Sequence, residues 1–298
     1  MNTTAQPVTL AQCLSQAQIL GLARVDAQMV LLHCLRRPIH DRAWLLTHDT
    51  DVLTAAQHAA WQTGLQRRLS GEPVAYITGR KEFFGLTLQV DARVLDPRPD
   101  TETLVEWALA VLPTAPSAAP LRILDLGTGS GAVALALQHA HPDAQVWAVD
   151  VSEEALTVAR ANAHQLNLPV HFIASDWFAQ VHTQETGLFD LIVSNPPYIA
   201  QADPHLNALR HEPLQALTSG VEGLDDLRHI MAQAPAHLKP SGWLLLEHGH
   251  DQAWAVRHGL GQAGFAQVQS HTDLAGVDRC SGGQKPGNNP VRQNSLSK

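Results

Sequence analysis

Four consecutive residues, Asn195, Pro196, Pro197 and Tyr198, carry the densest chemistry in the chain. An asparagine amide offers one carbonyl acceptor and one NH2 donor. The two prolines hold the backbone extended and bring no N–H of their own. The Pro196 carbonyl therefore has no helical partner and can face a ligand. Tyr198 adds a flat face. Acceptors beside an aromatic plane suit a planar nitrogen, such as an amide NH2 or the exocyclic amine of a base. A tight turn after a strand would use the same Asn-Pro step, so the meaning of the quartet depends on its surroundings.

Two elements must position it. The run 189–194, Phe-Asp-Leu-Ile-Val-Ser, is apolar and β-branched and predicts a buried strand ending at Asn195. Ligands of open α/β sheets bind beyond the carboxyl ends of the strands. Upstream, 121–126 predicts another strand, followed by Gly127, Thr128, Gly129, Ser130 and Gly131 and then a helix. Glycines let the backbone approach a ligand, and a helix start exposes N–H donors. Asp150 ends the next predicted strand, 145–150, at the usual distance of about 20 residues for a carboxylate on ribose hydroxyls. Gly127, Gly129 and Ala132 also fit the dinucleotide fingerprint. By themselves they mean a nucleoside-type cofactor, with NAD as one option, but NAD leaves the Asn195 quartet without a role.

The totals exclude some classes. The chain has 298 residues, is 45% hydrophobic and 16% charged, and is long enough for one large α/β domain plus a smaller unit. Its 20 Lys and Arg against 28 Asp and Glu give a formal charge of −8, which argues against gripping a long phosphate backbone. Cys13, Cys34 and Cys280 are far apart and suggest no disulfide framework. The first residues lack the pattern of a secretory signal, and no apolar run reaches the roughly 18 residues of a membrane span. The expectation is a cytoplasmic protein with no membrane contact. Among 17 histidines, the cluster Glu247-His248-Gly249-His250 is the densest. No zinc spacing is present, so the cluster is predicted to be a strand end and turn, with no metal.

Along the chain, residues 8–70 show helical periodicity, as in Leu10, Leu14 and Ala17 or Trp61, Leu65 and Leu69, with Pro38 separating helices. Residues 83–90 alternate around Gly85 and predict a β-hairpin. Arg98 reads as a surface charge or as an interdomain residue near a ligand mouth. Asp100 or Thr101 is predicted to cap the helix 104–112. Residues 112–120 form a proline- and alanine-rich connector. Strands are predicted at 170–174, 242–247 and 265–270, and helices at 131–141, 153–166, 225–238 and 251–263. The tail from 281 is predicted to be disordered.

Together, the glycine run 127–131, Asp150 and the quartet 195–198 resemble S-adenosylmethionine-dependent methyltransferases that act on planar NH2 groups. That resemblance implies that Asp176 and Trp177 lie beside the cofactor's adenine; without it Trp177 would read as a core aromatic. Further blocks narrow the match: 73–79 (Pro-Val-Ala-Tyr-Ile-Thr-Gly), 82–85 (Glu-Phe-Phe-Gly), 96–102, 194–199, 211–217, 220–225, 246–252 and Asp278-Arg279. These are similar to the release factor glutamine N5-methyltransferases over nearly the whole chain. Asp96 departs from the pattern where an aliphatic residue is expected.

The resemblance implies an α/β fold: a Rossmann-like class I S-adenosylmethionine-dependent methyltransferase domain with a small N-terminal helical domain joined by a β-hairpin. The expected organisation is a helical substrate-recognition domain at 1–72, a linker with the hairpin at 73–99, a catalytic domain at 100–280 and a tail at 281–298. The implied reaction moves a methyl group to the glutamine of the Gly-Gly-Gln motif in class 1 peptide chain release factors, leaving S-adenosylhomocysteine. Asn195, Pro196 and Tyr198 would be catalytic, and Pro197 would join them in binding substrate. Gly127, Thr128, Gly129, Ser130, Gly131, Asp150, Asp176, Trp177 and Asn195 would hold the cofactor. A nucleic-acid amino-methyltransferase shares the loop and the quartet and is the alternative. A non-catalytic cofactor-binding module is another. Glu212-Pro213 reads as a lining of the acceptor site or a plain turn. Gly282-Gly283-Gln284 repeats the implied substrate tripeptide, by chance or as a pseudosubstrate.

Overall fold

A computed structural model describes residues 7–113 and 119–287. Contacts divide the chain into two units, Met1–Arg80 with His205–His211, and Lys81–Pro204 with Glu212–Lys298.

The first unit is helical: α1 (Leu10–Ile19), α2 (Arg24–Cys34), α3 (Arg42–Thr47), α4 (Ala55–Leu69) and α5 (Val74–Thr78). Thr9 and Thr54 begin α1 and α4 with capping boxes, in which Gln12 and Gln57 reach back to the cap N–H. Leu10, Leu31, Leu45, Trp61 and Leu65 bury the apolar stripes together. Each fully buried large side chain contributes about 1.5–3 kcal/mol. At Gly64 of α4 an added Cβ would stand 2.7 Å from Val30 Cγ1 of α2, so glycine permits the close approach of these helices. The helical unit runs past the expected boundary at 72. Residues 74–78 are helix α5, stopped by Gly79 at φ 70°, rather than linker.

In the second unit, β1 (Arg80–Phe83) and β2 (Leu86–Gln89) form the expected hairpin. Phe84 and Gly85 both take positive φ, 48° and 74°, as a two-residue hairpin turn requires. A short 3₁₀ turn, Pro99–Thr101, leads into α6 (Glu102–Val111). The chain then alternates: β3 (Arg122–Leu126), α7 (Ala132–Ala140), β4 (Gln145–Asp150), α8 (Glu153–Leu166), β5 (Val170–Ala174), α9 (Thr183–Thr186), β6 (Phe189–Ser194), α10 (Asp225–His237), β7 (Leu238–Glu247), α11 (Ala253–Gln262), β8 (Ala266–Thr272) and β9 (Asp278–Gln284). The seven-stranded sheet runs β5-β4-β3-β6-β7-β9-β8, parallel from β5 to β7, with β9 antiparallel to both neighbours. Leu124, Phe189, Ile192, Leu244, Ile230 and Val256 are among the residues of its core.

The predicted tail needs correction. Ser281–Gln284 belong to β9, where Gly282 pairs with Leu245 and Gly283 with Leu244. These small residues lack an apolar period, yet they fit because the strand is clasped on both sides. A Cβ on Gly282 would meet Trp107 at 2.8 Å and Leu244 O at 2.6 Å. Lys285 then anchors the chain, its Nζ donating to the carbonyls of Pro235 and Leu238 at 2.7 Å. The remaining tail, 288–298, lies outside the described residues, as do 114–118 of the connector and the first six residues. Among the described residues, no helix is long and apolar enough to cross a membrane.

Candidate functional site

Strand order places the site. β3 continues to β4 and β5 on one side and to β6 and β7 on the other, so the order reverses between β3 and β6. Crevices of this kind are where open sheets bind ligands. The register pairs Leu126 with Ser194, and the buried Ser194 Oγ donates to the Leu126 carbonyl at 2.7 Å. The chain therefore leaves the two strands side by side, as Gly127 and as Asn195. A cavity of about 570 Å³ opens there, lined by Gly127, Gly129, Asp150, Asp176, Trp177, Asn195 and Pro197 among others. That volume is within the range of about 300–1,000 Å³ for small-molecule sites.

On the β3 side, Gly127 and Gly129 take φ of 70° and 54°. The Gly129 N–H donates to Asp150 Oδ2 at 2.8 Å, and the Ser152 N–H donates to Oδ1 at 2.9 Å. Burial raises the Asp150 pKa, opposed by these N–H donors. The Trp177 ring lies over Gly127, where an added Cβ would meet its Cζ3 at 3.4 Å. Its Nε1 donates to Asp226 Oδ1 at 3.1 Å. Asp176 is exposed at the rim.

Thr128, Ser130 and Gly131, expected to touch a cofactor, do not line the cavity. The Thr128 hydroxyl turns inward and donates to Asp125 Oδ2 at 2.6 Å. The Ser130 carbonyl accepts from Nδ2 of the buried Asn162 at 2.9 Å. Gly131, at φ 85°, packs so close to Leu135 and Ala159 that a Cβ would stand 3.0 and 3.3 Å away. These three residues shape the loop from behind. Asp125 is wholly buried, and burial pushes its pKa up to about 7, against hydrogen bonds from Thr128 and the Ala134 N–H.

On the β6 side, Asn195 is half-buried, and its Nδ2 donates to Thr101 Oγ1 at 3.1 Å. Pro197 faces the cavity, whereas Pro196 and Tyr198 do not line it. The Tyr198 phenol points inward and donates to Glu247 Oε1 at 3.3 Å. Its pKa is raised, first by burial and then by the Glu247 charge. The Tyr198 carbonyl accepts from Gln252 Nε2 at 3.0 Å, and the same nitrogen reaches the Glu222 and Gly223 carbonyls. A Cβ on Gly223, already at φ 73°, would collide with the Tyr198 carbonyl.

Thr101 does not cap α6 through its side chain, as the sequence suggested. Its hydroxyl accepts from Asn195 Nδ2 and stands beside the carboxyl of Glu247. Asp100, the other expected cap, lies 3.4 Å from Arg279. Glu247 is 1% exposed, its Oε2 is buried without a hydrogen-bond partner, and burial pushes its pKa up to about 7. The donors Thr101 and Tyr198 and the Arg279 charge oppose that rise.

Of the remaining candidates, Pro213 lines the cavity, and the others are paired with neighbouring side chains. Arg98 donates to Glu212 Oε1 at 2.5 Å and lies 3.6 Å from Asp96. Asp96 sits where an aliphatic residue was expected, and it is buried but paired with Lys81 at 3.0 Å. Its N–H also donates to Glu212 Oε2 at 3.2 Å. His248 is buried, and its Nε2 is 2.7 Å from Ser281 Oγ. Burial lowers its pKa. Among the described residues, no group of three His, Cys, Asp or Glu side chains is placed to hold a metal.

Thr101, Glu247 and Gln252 shape the site, a role that the sequence did not assign them: Thr101 read as a helix cap and Glu247 as a strand end. One signal was present. Glu247 ends an apolar strand at its carboxyl end, just as Asp150 ends β4 and Asp125 stands one residue before the end of β3.

Residues 106–254 match the methyltransferase small domain, and residues 9–79 match the PrmC N-terminal domain. The chain is 49% identical over 265 residues to a release factor glutamine methyltransferase of Bordetella pertussis, covering 88% of this chain and 95% of that protein. It is 46% identical over 297 residues to a protein of the same name from Burkholderia pseudomallei, covering 96% and 100%. A third, from Escherichia coli, is 42% identical over 278 residues, covering 92% and 97%. Among solved structures, a methyltransferase from Pyrococcus furiosus superposes with TM-score 0.53 at 19% identity, over 76% of this chain and 99% of that one. The 16S rRNA N2 G1207 methyltransferase of T. thermophilus, solved with AdoMet and guanosine, superposes with TM-score 0.52 at 19% identity, over 69% and 49%. At such identities these two share the fold.

Proposed function

This chain belongs to the release factor glutamine methyltransferases, and we propose that it moves a methyl group from S-adenosylmethionine to the side-chain amide nitrogen of the glutamine in the Gly-Gly-Gln motif of class 1 release factors, in the cytoplasm. The observation that carries this reading is the pairing of Leu126 with Ser194, which sets a glycine cradle beside the Asn195 amide.

The residues at the cavity fit the cofactor. Gly127 and Gly129 leave its floor without side chains, and at Gly127 the Trp177 ring stands within contact distance of where a Cβ would be. Asp150 is held by two N–H donors and keeps lone pairs for hydroxyls. Trp177 gives a flat wall for a base. When bound, the cofactor supplies a methyl group already activated on a sulfonium. Asp176 at the rim and Asn195 complete the contacts proposed for it.

The acceptor is the difficult partner. An amide nitrogen shares its lone pair with its carbonyl and is a weak nucleophile. Asn195 Oδ1 and the Pro196 carbonyl would accept its two N–H bonds and fix its direction, with Pro197 shaping the mouth. Orientation of this kind supplies up to roughly 7–11 kcal/mol in ideal cases. The same acceptors favour positive charge developing on nitrogen. The nitrogen then releases one proton. Tyr198, turned inward to Glu247, braces the loop and shields it from water rather than offering its hydroxyl to substrate.

The nucleic-acid alternative is not favoured by the relatives, and the formal charge of −8 runs against it. The domain division expected from sequence enters this reading as a proposal: the helical unit recognises the release factor, and the sheet unit performs the transfer. Mass spectrometry of a purified release factor after incubation with enzyme and cofactor tests the reading. One added methyl on the Gly-Gly-Gln glutamine is expected. An unmodified release factor, with label appearing instead on rRNA or DNA, would overturn it.

A further inference from the structure

An asparagine amide is nearly symmetrical in shape, so nothing in its outline decides which end meets a ligand. For the proposed reaction the choice matters. An outward oxygen accepts from the substrate nitrogen, whereas an outward NH2 would set donors against donors. The element that makes the choice lies behind Asn195. Its Nδ2 faces the Thr101 hydroxyl at 3.1 Å. That hydroxyl has one proton and lone pairs to accept with. If the proton points at Asn195, the amide oxygen must face inward; if it points elsewhere, the NH2 must.

Glu247 decides where the proton points. Its carboxyl is 1% exposed, and Oε2 has no hydrogen-bond partner among the described residues. A buried carboxyl starved of donors draws whatever O–H groups stand near it. Two do: Tyr198, at 3.3 Å from Oε1, and Thr101. With its proton directed at Glu247, Thr101 has only lone pairs for Asn195. The charges of Asp100 and Arg279 face this carboxyl, and Arg279 is committed to Asp100 and Asp273, at 3.4 and 3.0 Å.

Resting on the function proposed above, we propose that Glu247 and Thr101 are positioning residues that lock the Asn195 carboxamide with its oxygen toward the acceptor. Glu247 touches neither substrate nor cofactor in this scheme. It acts through one hydroxyl on Asn195 and through another on the loop that carries it.

The test compares Thr101→Val, Thr101→Ser and Glu247→Gln in the full chain. Calorimetry gives cofactor affinity, release-factor methylation gives kcat, and ¹⁵N-asparagine NMR follows the Asn195 carboxamide protons without any ligand. Loss of that signal pair in Asn195→Ala assigns it. In the parent and in Thr101→Ser, one carboxamide proton is expected to exchange slowly, with kcat within about 3-fold of each other. In Thr101→Val and Glu247→Gln, exchange is expected to be fast and kcat about 10- to 100-fold lower, with cofactor affinity within about 3-fold. Parent-like exchange and kcat in Thr101→Val would overturn the proposal. So would a loss of kcat matched by an equal loss of cofactor affinity, or failure of both Thr101→Val and Glu247→Gln to fold. If the parent does not methylate a release factor, the functional reading fails, while the NMR comparison still decides this one.

Discussion

The two halves of the site are built differently. At the end of β3, the loop residues find their partners on their own strand and the one beside it: Thr128 donates to Asp125, and Gly129 donates to Asp150 at the end of β4. What reaches the cavity there is glycine backbone, the Asp150 carboxylate and, from beyond β5, the Trp177 ring with Asp176 at the rim. At the end of β6, Asn195 leans on Thr101, and Tyr198 leans on Glu247 and Gln252, residues drawn from distant turns and strand ends. What reaches the cavity there is a side chain whose orientation is held from behind. A half built on neighbouring strand ends suits a ligand defined by its shape and hydroxyls. A half assembled from remote side chains suits the aiming of one atom. The division predicts that damage to one half changes binding and damage to the other changes turnover.

Asn195→Ala should give the largest effect: kcat lower by about 100- to 1,000-fold, the scale seen when one group aimed at developing charge is removed, with cofactor affinity by calorimetry within about 3-fold. Asp150→Ala should do the reverse and more mildly. Its loss frees the Gly129 N–H and removes a hydroxyl acceptor, so cofactor Kd should rise about 10- to 100-fold while kcat at saturation holds. If both variants move the same constant, the two halves are not separable.

The smallest effect sharpens the contrast through pH. Asp125 has its pKa raised from 3.8 to about 7 by burial, so the folded chain binds its proton more tightly than the unfolded chain does. That contribution to stability is fully present below about pH 3.8 and is lost as pH rises through about 7. Glu247 carries the same sign, with its pKa raised from 4.5 to about 7. In urea unfolding at pH 5 and pH 8, Asp125→Asn should shrink the loss of stability between the two by about 1–3 kcal/mol. An unchanged slope would mean that Asp125 is not protonated in the fold at pH 5.

The same division explains what could be read in the sequence. Runs such as 145–150 and 189–194 showed themselves as strands because burial on both faces demands unbroken apolar, β-branched stretches. The glycine run showed itself because positive φ at Gly127, Gly129 and Gly131 favours that residue type. Strand β9 stayed hidden, since serine and glycine carry no apolar period and its place depends on Leu244 and Leu245 alongside. Thr101 looked like a helix cap, because a hydroxyl before a helix usually is one; only the fold reveals that it faces Asn195. Glu247 was obscured by two neighbouring histidines. The cavity-lining role of Gly127, Asp150, Trp177 and Asn195 was visible, whereas the inward turn of Thr128 and Tyr198 was not.

Gly282, Gly283 and Gln284 spell the tripeptide proposed as this enzyme's target, yet here they are threads in a woven sheet, laddered to β7 and β8. The Gln284 amide is already engaged, with Nε2 on the Ser241 carbonyl at 3.0 Å and Oε1 accepting from Gln267. A catalyst that holds its own bait knotted into cloth has no reason to bite it. Three letters alone do not make a substrate; the glutamine must also stand free of any lattice, at the tip of something that can enter a crevice.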